Sequence, residues 1–395
     1  MISIIGIGMD GEKTLTAQAL SAIKNADILI GAKRMTEPFK SLGKPCFCSW
    51  KSEEIADLLH SEKYENAAVL MSGDCGFYSG AEKLLRLVGN METTVISGIS
   101  SPVYFCSKIK KPWKNMKFVS LHGENSNIVR NVRRNELCFF LLGGEITPAV
   151  LCRRLCEYGM GGTKIYIGEN LAAENERILT GNASDFTDIQ FGKLIVAVTE
   201  NPDFERLIPI GIADEKFTRG KVPMTKSEVR SAVISKLEIG GKSVCWDVGC
   251  GTGSVSVEAA LQCFDGTVYA VDKNPEAVEL TRENAHKFGC DNIEIICGSA
   301  PESLNELPAP DSVFIGGSSG RISEITDIAF AKNPDAVIVV TAVSVETLND
   351  AVKAFEQYEI EPEIVQLAVT RTRKIGSHTM LSAENPVFII KGAKR

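Results

Sequence analysis

The stretch WDVGCGTGSVSVEAAL, residues 246–261, decides how the second half of the chain is read. An apolar run ends at Val248, glycines follow at 249, 251 and 253, and a helix-forming segment begins at once. Glycine at such places lets the backbone turn tightly and lets a ligand approach it closely. Nineteen residues beyond Gly253 the run TVYAVD ends in Asp272, where a carboxylate can accept both hydroxyls of a ribose. The spacing is G-x-G-x-G, not the G-x-G-x-x-G of dinucleotide sites, and Asp247 stands two residues before the first glycine. The alternative is a tight turn with no ligand.

Around this turn the runs SVCWDVG, TVYAVD, IEIICGSA, SVFIGG and AVIVVTAV alternate with helical stretches, the pattern of a doubly wound α/β sheet. The rhythm breaks upstream at TENPDFERLIPIGIADEKF (199–217). A boundary is therefore expected near 205–212, dividing the chain into 1–207 and 208–395. The first part is again α/β, with strands expected at MISIIGIG, ADILIG, AAVLMSG, TTVISG, KFVSLHG, CFFLLGG, TKIYIGEN and KLIVAVT. In EITPAVLCRRLCEYG the helix signals are clear: Thr147 as N-cap, Pro148 in the first turn and Gly159 past the end. This part opens on its own glycine turn, Gly6-x-Gly8-x-x-Gly11. A dinucleotide site wants an acid at the end of the second strand, about 20 residues on. The nearest candidate, Asp27, starts ADILIGAKR, whose far end carries Lys33 and Arg34, so NAD is disfavoured.

The 395 residues suffice for two or three domains with real cores. A formal charge of −7 argues against wholesale nucleic-acid binding. No run of apolar residues is long enough for a membrane span, and the first residues enter a strand instead of a signal sequence. The twelve cysteines contain no C-x-x-C pair and the four histidines are scattered, so reduced, mostly structural thiols in the cytoplasm and no metal site are expected.

The turn and its acid resemble the class I S-adenosylmethionine (SAM) methyltransferases. That resemblance implies a SAM site built from Asp247, Gly249, Cys250, Gly251, Thr252, Gly253 and Asp272. After the fourth strand, FIGGSSGR (314–321) lacks the Pro-Pro-aromatic stretch of base N-methyltransferases, which demotes nucleic acid as substrate; Gly316 and Gly317 leave room for a large flat one. In the lead-in FTRGKVPMTKSEVRSAVISKL, Thr225 fits an N-cap with Glu228 completing a capping box. Lys226 and Arg230 lie four apart, on one helical face, with Arg219 and Lys221 nearby. They form either a solvated basic face or a grip on an acidic ligand. PMTKSEVR, DVGCGTGSVSVEAA, GSAPESL, DSVFIGGSSG and NPVFII together resemble the decarboxylating precorrin C-15 methyltransferases over nearly all of 212–395. This implies that Thr225, the Gly249–Gly253 turn, Asp272 and Ala300 line the SAM site. Arg219, Lys226 and Arg230 would hold substrate carboxylates; Arg371, Arg373 and Lys374 do the same or face water.

In the first part, LMSGDCGFYSGAEKLL (70–85), VISGISSPVYFCSKI (95–109), SLHGE (120–124) and FFLLGG resemble the tetrapyrrole methylases of the precorrin C-5 branch. The resemblance implies a second SAM held between two α/β subdomains by Gly73, Asp74, Tyr78, Gly98, Ser100 and Ser101, with Gly6 and Gly8 facing the macrocycle. Cys75 and Ser97 stand where prolines are usual, and Glu124 where an arginine is common. His122 is either a structural histidine at a strand end or an acid or base. Together the two resemblances imply a tetrapyrrole methylase fold followed by a Rossmann-like class I methyltransferase domain. The implied reaction is SAM-dependent methylation of a precorrin at two meso carbons with decarboxylation of the ring C acetate, in cobalamin biosynthesis. They also imply two SAM sites and a homo-oligomer. The alternatives are methylation of another tetrapyrrole, or SAM binding without chemistry.

Overall fold

The alternation of apolar side chains along the N-terminal strands settles where each face goes. In β1 (Ile2–Gly6), Ile2 and Ile4 join one buried cluster and Ile5 the other, and in β4 (Ala67–Met71) Val69 and Leu70 divide the same way. Strands buried on both faces read as continuous apolar runs, as parallel sheets require. With β2 (Ile28–Gly31), β3 (Cys46–Cys48) and β5 (Thr93–Ile96) they form an all-parallel sheet in the order β3-β2-β4-β1-β5. The helix Ala17–Asn25 is started by Thr16, whose side chain accepts from the Ala19 N–H at 3.2 Å.

A second sheet follows: β6 (Lys117–Ser120), β7 (Leu137–Leu141), β8 (Lys164–Glu169), β9 (Arg177–Asn182) and β10 (Ile195–Glu200), in the order β6-β7-β10-β8-β9. Only the β6–β7 pair is parallel. The expected helix at 148–157 is present, with the Thr147 hydroxyl accepting from the Val150 N–H at 3.3 Å.

The remaining strands are β11 (Val244–Val248), β12 (Thr267–Asp272), β13 (Ile293–Cys297), β14 (Ser312–Ile315), β15 (Val337–Ala342), β16 (Glu363–Leu367), β17 (Thr370–Ile375), β18 (His378–Ala383) and β19 (Val387–Gly392). Seven of them make one sheet, β13-β12-β11-β14-β15-β19-β16, parallel except for β19, which runs antiparallel to both neighbours. β17 and β18 form a separate, largely exposed hairpin. Strand β11 sits mid-sheet, and its parity sends Trp246 and Val248 to one core and Cys245 to the other. Asp247 shares the Cys245 side.

This computed structural model describes residues 1–9, 11–61, 64–121 and 127–394. By contacts the chain forms two compact units, one of residues 1–125 with 135–202, the other of 126–134 with 203–395. None of the twelve cysteines is in a disulfide: eight are buried, Cys156 is half-buried, and Cys46, Cys48 and Cys297 are exposed. Among the described residues no group of side chains could hold a metal ion, and no helix is long and apolar enough to cross a membrane.

Candidate functional sites

In the second unit the three glycines of the turn adopt left-handed φ values of +75°, +58° and +71°, a conformation other residues adopt at a cost. Space forbids a side chain as well. A Cβ on Gly249 would stand 2.6 Å from the Gly317 nitrogen, and one on Gly251 would stand 2.8 Å from the Pro223 carbonyl oxygen. The turn is thus packed between the loop after β14 and the strap that precedes the helix Ser227–Lys236. These segments enclose a cavity of about 500 Å³.

Of the residues expected here, Thr225, Gly249, Cys250, Gly251, Asp272, Ala300, Gly316 and Gly317 line the cavity. Asp272 caps the end of β12 and is half-buried. Its Oδ2 accepts from the Gly251 N–H at 3.0 Å and its Oδ1 from the Asn274 N–H at 2.9 Å. Each oxygen therefore keeps acceptor capacity for a hydroxyl of the ligand. This pair of acceptors fits the ribose hydroxyls of SAM, and the apolar lining of Val222, Pro223 and Phe314 suits a ligand without phosphates. Asp247, Thr252 and Gly253 lie outside the lining. Asp247 is buried beneath the turn, takes the Ser256 hydroxyl, and burial pushes its carboxyl up to about 7. It ties β11 to the helix Ser254–Gln262. Thr252 is buried, and Gly253 packs against Thr281.

One of the basic residues is placed differently from the sequence expectation. Arg230 is fully buried and cannot meet a substrate carboxylate. Its Nε donates to Glu258 at 2.5 Å and its Nη1 to Asp214 at 3.4 Å. The same guanidinium donates to the Thr225 carbonyl at 2.6 Å and to the Ile212 carbonyl. It fastens the strap over the glycine turn. Helical spacing could not reveal this, because the face that Lys226 and Arg230 were expected to share turns inward at Arg230. The helix also starts later than the capping-box reading: Lys226 is its N-cap and makes no side-chain cap bond. Arg219 lies 3.7 Å from Asp214, and Arg371 pairs with Asp214 and Glu228 instead of facing water freely. Lys273, Ser319 and Arg321 line the cavity and were missed. Their signal was available, since Lys273 directly follows the ribose acid.

In the first unit, three neighbouring strands end in close backbone contact. A Cβ on Gly6 would stand 2.7 Å from both the Gly73 oxygen and the Gly98 nitrogen. Gly8 and Gly73 exchange backbone hydrogen bonds of 3.0 and 2.8 Å. Gly6 and Gly8 therefore knit strand ends together and lie outside the lining of the cavity beside them. Asp74 braces the same junction, accepting from Gly76 N–H at 2.8 Å and Gly98 N–H at 2.9 Å. A cavity of about 330 Å³ is lined by Gly73, Asp74, Tyr78 and Ser101, joined by Arg34, Phe77, Asn170 and Lys193. Gly98 and Ser100 stand behind it, Ser100 as the N-cap of Ser101–Ile109. Cys75, in place of the usual proline, is buried with its sulfur 3.6 Å from the Ile4 and Ile96 carbonyls, and burial pushes its thiol up to about 11. His122 and Glu124 lie outside the described residues.

Comparison with known proteins gives two family matches: residues 1–187 with the tetrapyrrole (corrin/porphyrin) methylases and residues 215–394 with the precorrin methyltransferase domain. The chain is 46% identical over 183 residues to a probable cobalt-precorrin-6B C(15)-methyltransferase (decarboxylating) of Pyrobaculum calidifontis, covering 46% of this chain and 94% of the relative. It is 39% identical over 180 residues to the cobalt-precorrin-6B C(15)-methyltransferase (decarboxylating) of Salmonella typhimurium, covering 45% and 93%. A crystal structure of precorrin-6y C5,15-methyltransferase from Geobacter metallireducens is 39% identical, spans 47% of this chain and 97% of its own, and superposes with a TM-score of 0.45.

Proposed function

The chain belongs to the precorrin methyltransferases, SAM-dependent enzymes, and from that premise we propose that it methylates a precorrin-6B ring, with or without cobalt, at both C-5 and C-15. The second unit would also decarboxylate the ring C acetate, whose carboxyl carbon leaves as carbon dioxide while a proton takes its place and a methyl group stays on the ring. The observation that carries this reading is the presence of two separate cavities, one in each unit, each with its own glycine junction and its own carboxylate, Asp74 and Asp272. A division of labour follows, residues 1–207 serving C-5 and 208–395 serving C-15.

SAM supplies a methyl group activated on a sulfonium. Asp272 would hold its ribose, the backbone of Gly249–Gly251 its amino-acid end, and Ala300 and the strap at Val222–Thr225 its remaining surface. In the first unit Gly73, Asp74, Tyr78 and Ser101 take the corresponding part. The acceptor carbons belong to an electron-rich ring and need no nucleophilic residue. What the protein contributes is alignment, worth about 7–11 kcal/mol when the reacting atoms are held in line. Gly316 and Gly317 keep the acceptor side of the second cavity free of side chains, which suits a flat ring.

The test is incubation of the full chain with SAM and either the metal-free or the cobalt ring, followed by mass spectrometry. The expected product has gained two methyl groups and lost one carbon dioxide, with two S-adenosylhomocysteine released per ring. A product carrying a single methyl group with both cavities intact would refute the two-site reading.

A further inference from the structure

Two cationic side chains line the cavity of the second unit among the described residues, Lys273 and Arg321. Arg321 is neutralised, its Nη1 donating to Glu302 at 2.5 Å and its Nε to Glu324 at 2.8 Å. Lys273 forms no ion pair among the described residues; its Nζ donates to the Ser319 hydroxyl at 2.9 Å. The two partners come from opposite sides of the glycine turn. Lys273 follows β12 and Ser319 lies in the loop after β14, the two strands that flank β11. Ser319 takes the left-handed conformation, φ +51°, which costs an L residue about 1–2 kcal/mol. A strained residue that lines a cavity and touches the cation there that forms no ion pair among the described residues is a functional candidate.

We propose that Lys273, with Ser319, is the specificity-determining clamp for a carboxylate of the acceptor ring in the second unit. This rests on the function proposed above, whose acceptor is acidic. The lysine has further N–H groups to give while holding Ser319, and the serine, accepting from the lysine, still has its O–H to donate. The pair therefore offers two donors to the two oxygens of one carboxylate, one of them charge-assisted. The carboxylate held is one the ring keeps. An ammonium paired with the departing carboxylate would stabilise the ground state and slow its loss. Arg230, one of the sequence candidates for this role with Arg219 and Lys226, is buried and committed elsewhere.

The test uses the full chain with Lys273→Met, Lys273→Arg and Ser319→Ala, measuring acceptor KM and kcat for C-15 methylation, SAM affinity by calorimetry, and C-5 methylation. Lys273→Met is expected to raise the acceptor KM about ten- to a hundredfold, the loss typical of a charge-assisted hydrogen bond. SAM affinity and C-5 methylation stay within twofold, and Lys273→Arg recovers most of the loss. Ser319→Ala gives a smaller rise. An unchanged acceptor KM in an active Lys273→Met enzyme would overturn the assignment while leaving the functional reading standing. So would a loss of SAM affinity equal to the rise in KM. No turnover by the unmutated chain would overturn both.

Discussion

Replacing Arg230 by methionine removes the one group that joins Glu258, Asp214, the Thr225 carbonyl and the Ile212 carbonyl inside the second unit. Deleting one partner of a buried ion pair costs about 3–5 kcal/mol, mostly because a charge is left buried and uncompensated. Here the lower end applies. Glu258 would still accept from the Gly211 and Ile212 N–H groups, both at 2.9 Å, and Asp214 would still face Arg371 at 3.4 Å. A loss of about 3 kcal/mol corresponds to a fall of roughly 1.5 M in the urea midpoint, taking a slope of about 2 kcal/mol/M. The assay can be confined to this unit. Of the three tryptophans, Trp246 lies on β11 and points into the core of the second unit, whereas Trp50 and Trp113 are exposed and belong to the first unit. In a Trp50→Phe, Trp113→Phe background, fluorescence therefore reports the second unit alone. Adding Glu258→Gln to Arg230→Met should restore about 1 kcal/mol, because the stranded charge disappears while an amide oxygen still accepts one backbone N–H. A midpoint unchanged within error for Arg230→Met, or a double variant less stable by the full cost of Glu258→Gln alone, would refute the buried-network account.

Asp272→Ala should reduce the SAM titration of the full chain from two equivalents to one, and Asp74→Ala should remove the other and let a ring methylated only at C-15, already decarboxylated, accumulate in the mass spectrum. Gly98→Ala places a Cβ against the Gly73 and Gly6 carbonyl oxygens; such overpacking costs about 1–3 kcal/mol. It should weaken the first site while leaving the Trp246 unfolding midpoint where it was. Asp247 titrates near 7 when folded against an ordinary 3.8, so between those pH values the unfolded chain releases a proton that the folded chain keeps. The native state loses stability as pH rises through that window. Asp247→Asn, which cannot titrate, should gain on the unmutated protein from pH 3.8 to about 7 and hold a constant advantage above it, read from urea midpoints.

The regular part of this architecture was legible because parallel strands buried on both faces announce themselves as apolar runs. β1, β4, β11 and β14 all fall inside the expected stretches. β3, only three residues long and half exposed, and β9, polar on its outer positions, carry no such signal. The exposed hairpin β17–β18 has no buried face to impose a period and went unmarked. At the candidate sites the positions of the glycines were legible, but the contacts they make were not. Gly6 and Gly8 serve backbone-to-backbone contact, which sequence cannot distinguish from contact with a ligand. Arg230 failed for a related reason: a lone arginine on a helix reads as a surface group until its two acidic partners, 16 and 28 residues away in sequence, are seen beside it.

The distribution of thiols has a practical consequence for watching the enzyme at work. Cys75 and Cys250, which sit in the two junctions, are buried, and burial raises both well above an ordinary thiol, so neither forms the thiolate that alkylating dyes attack. Cys46 and Cys48 on the edge strand β3, and Cys297 at the end of β13, are open to solvent. With Cys48 changed to serine, maleimide fluorophores on Cys46 and Cys297 would put one label on each unit. Energy transfer between them would then follow the two units through turnover, with Cys75 and Cys250 left unmodified.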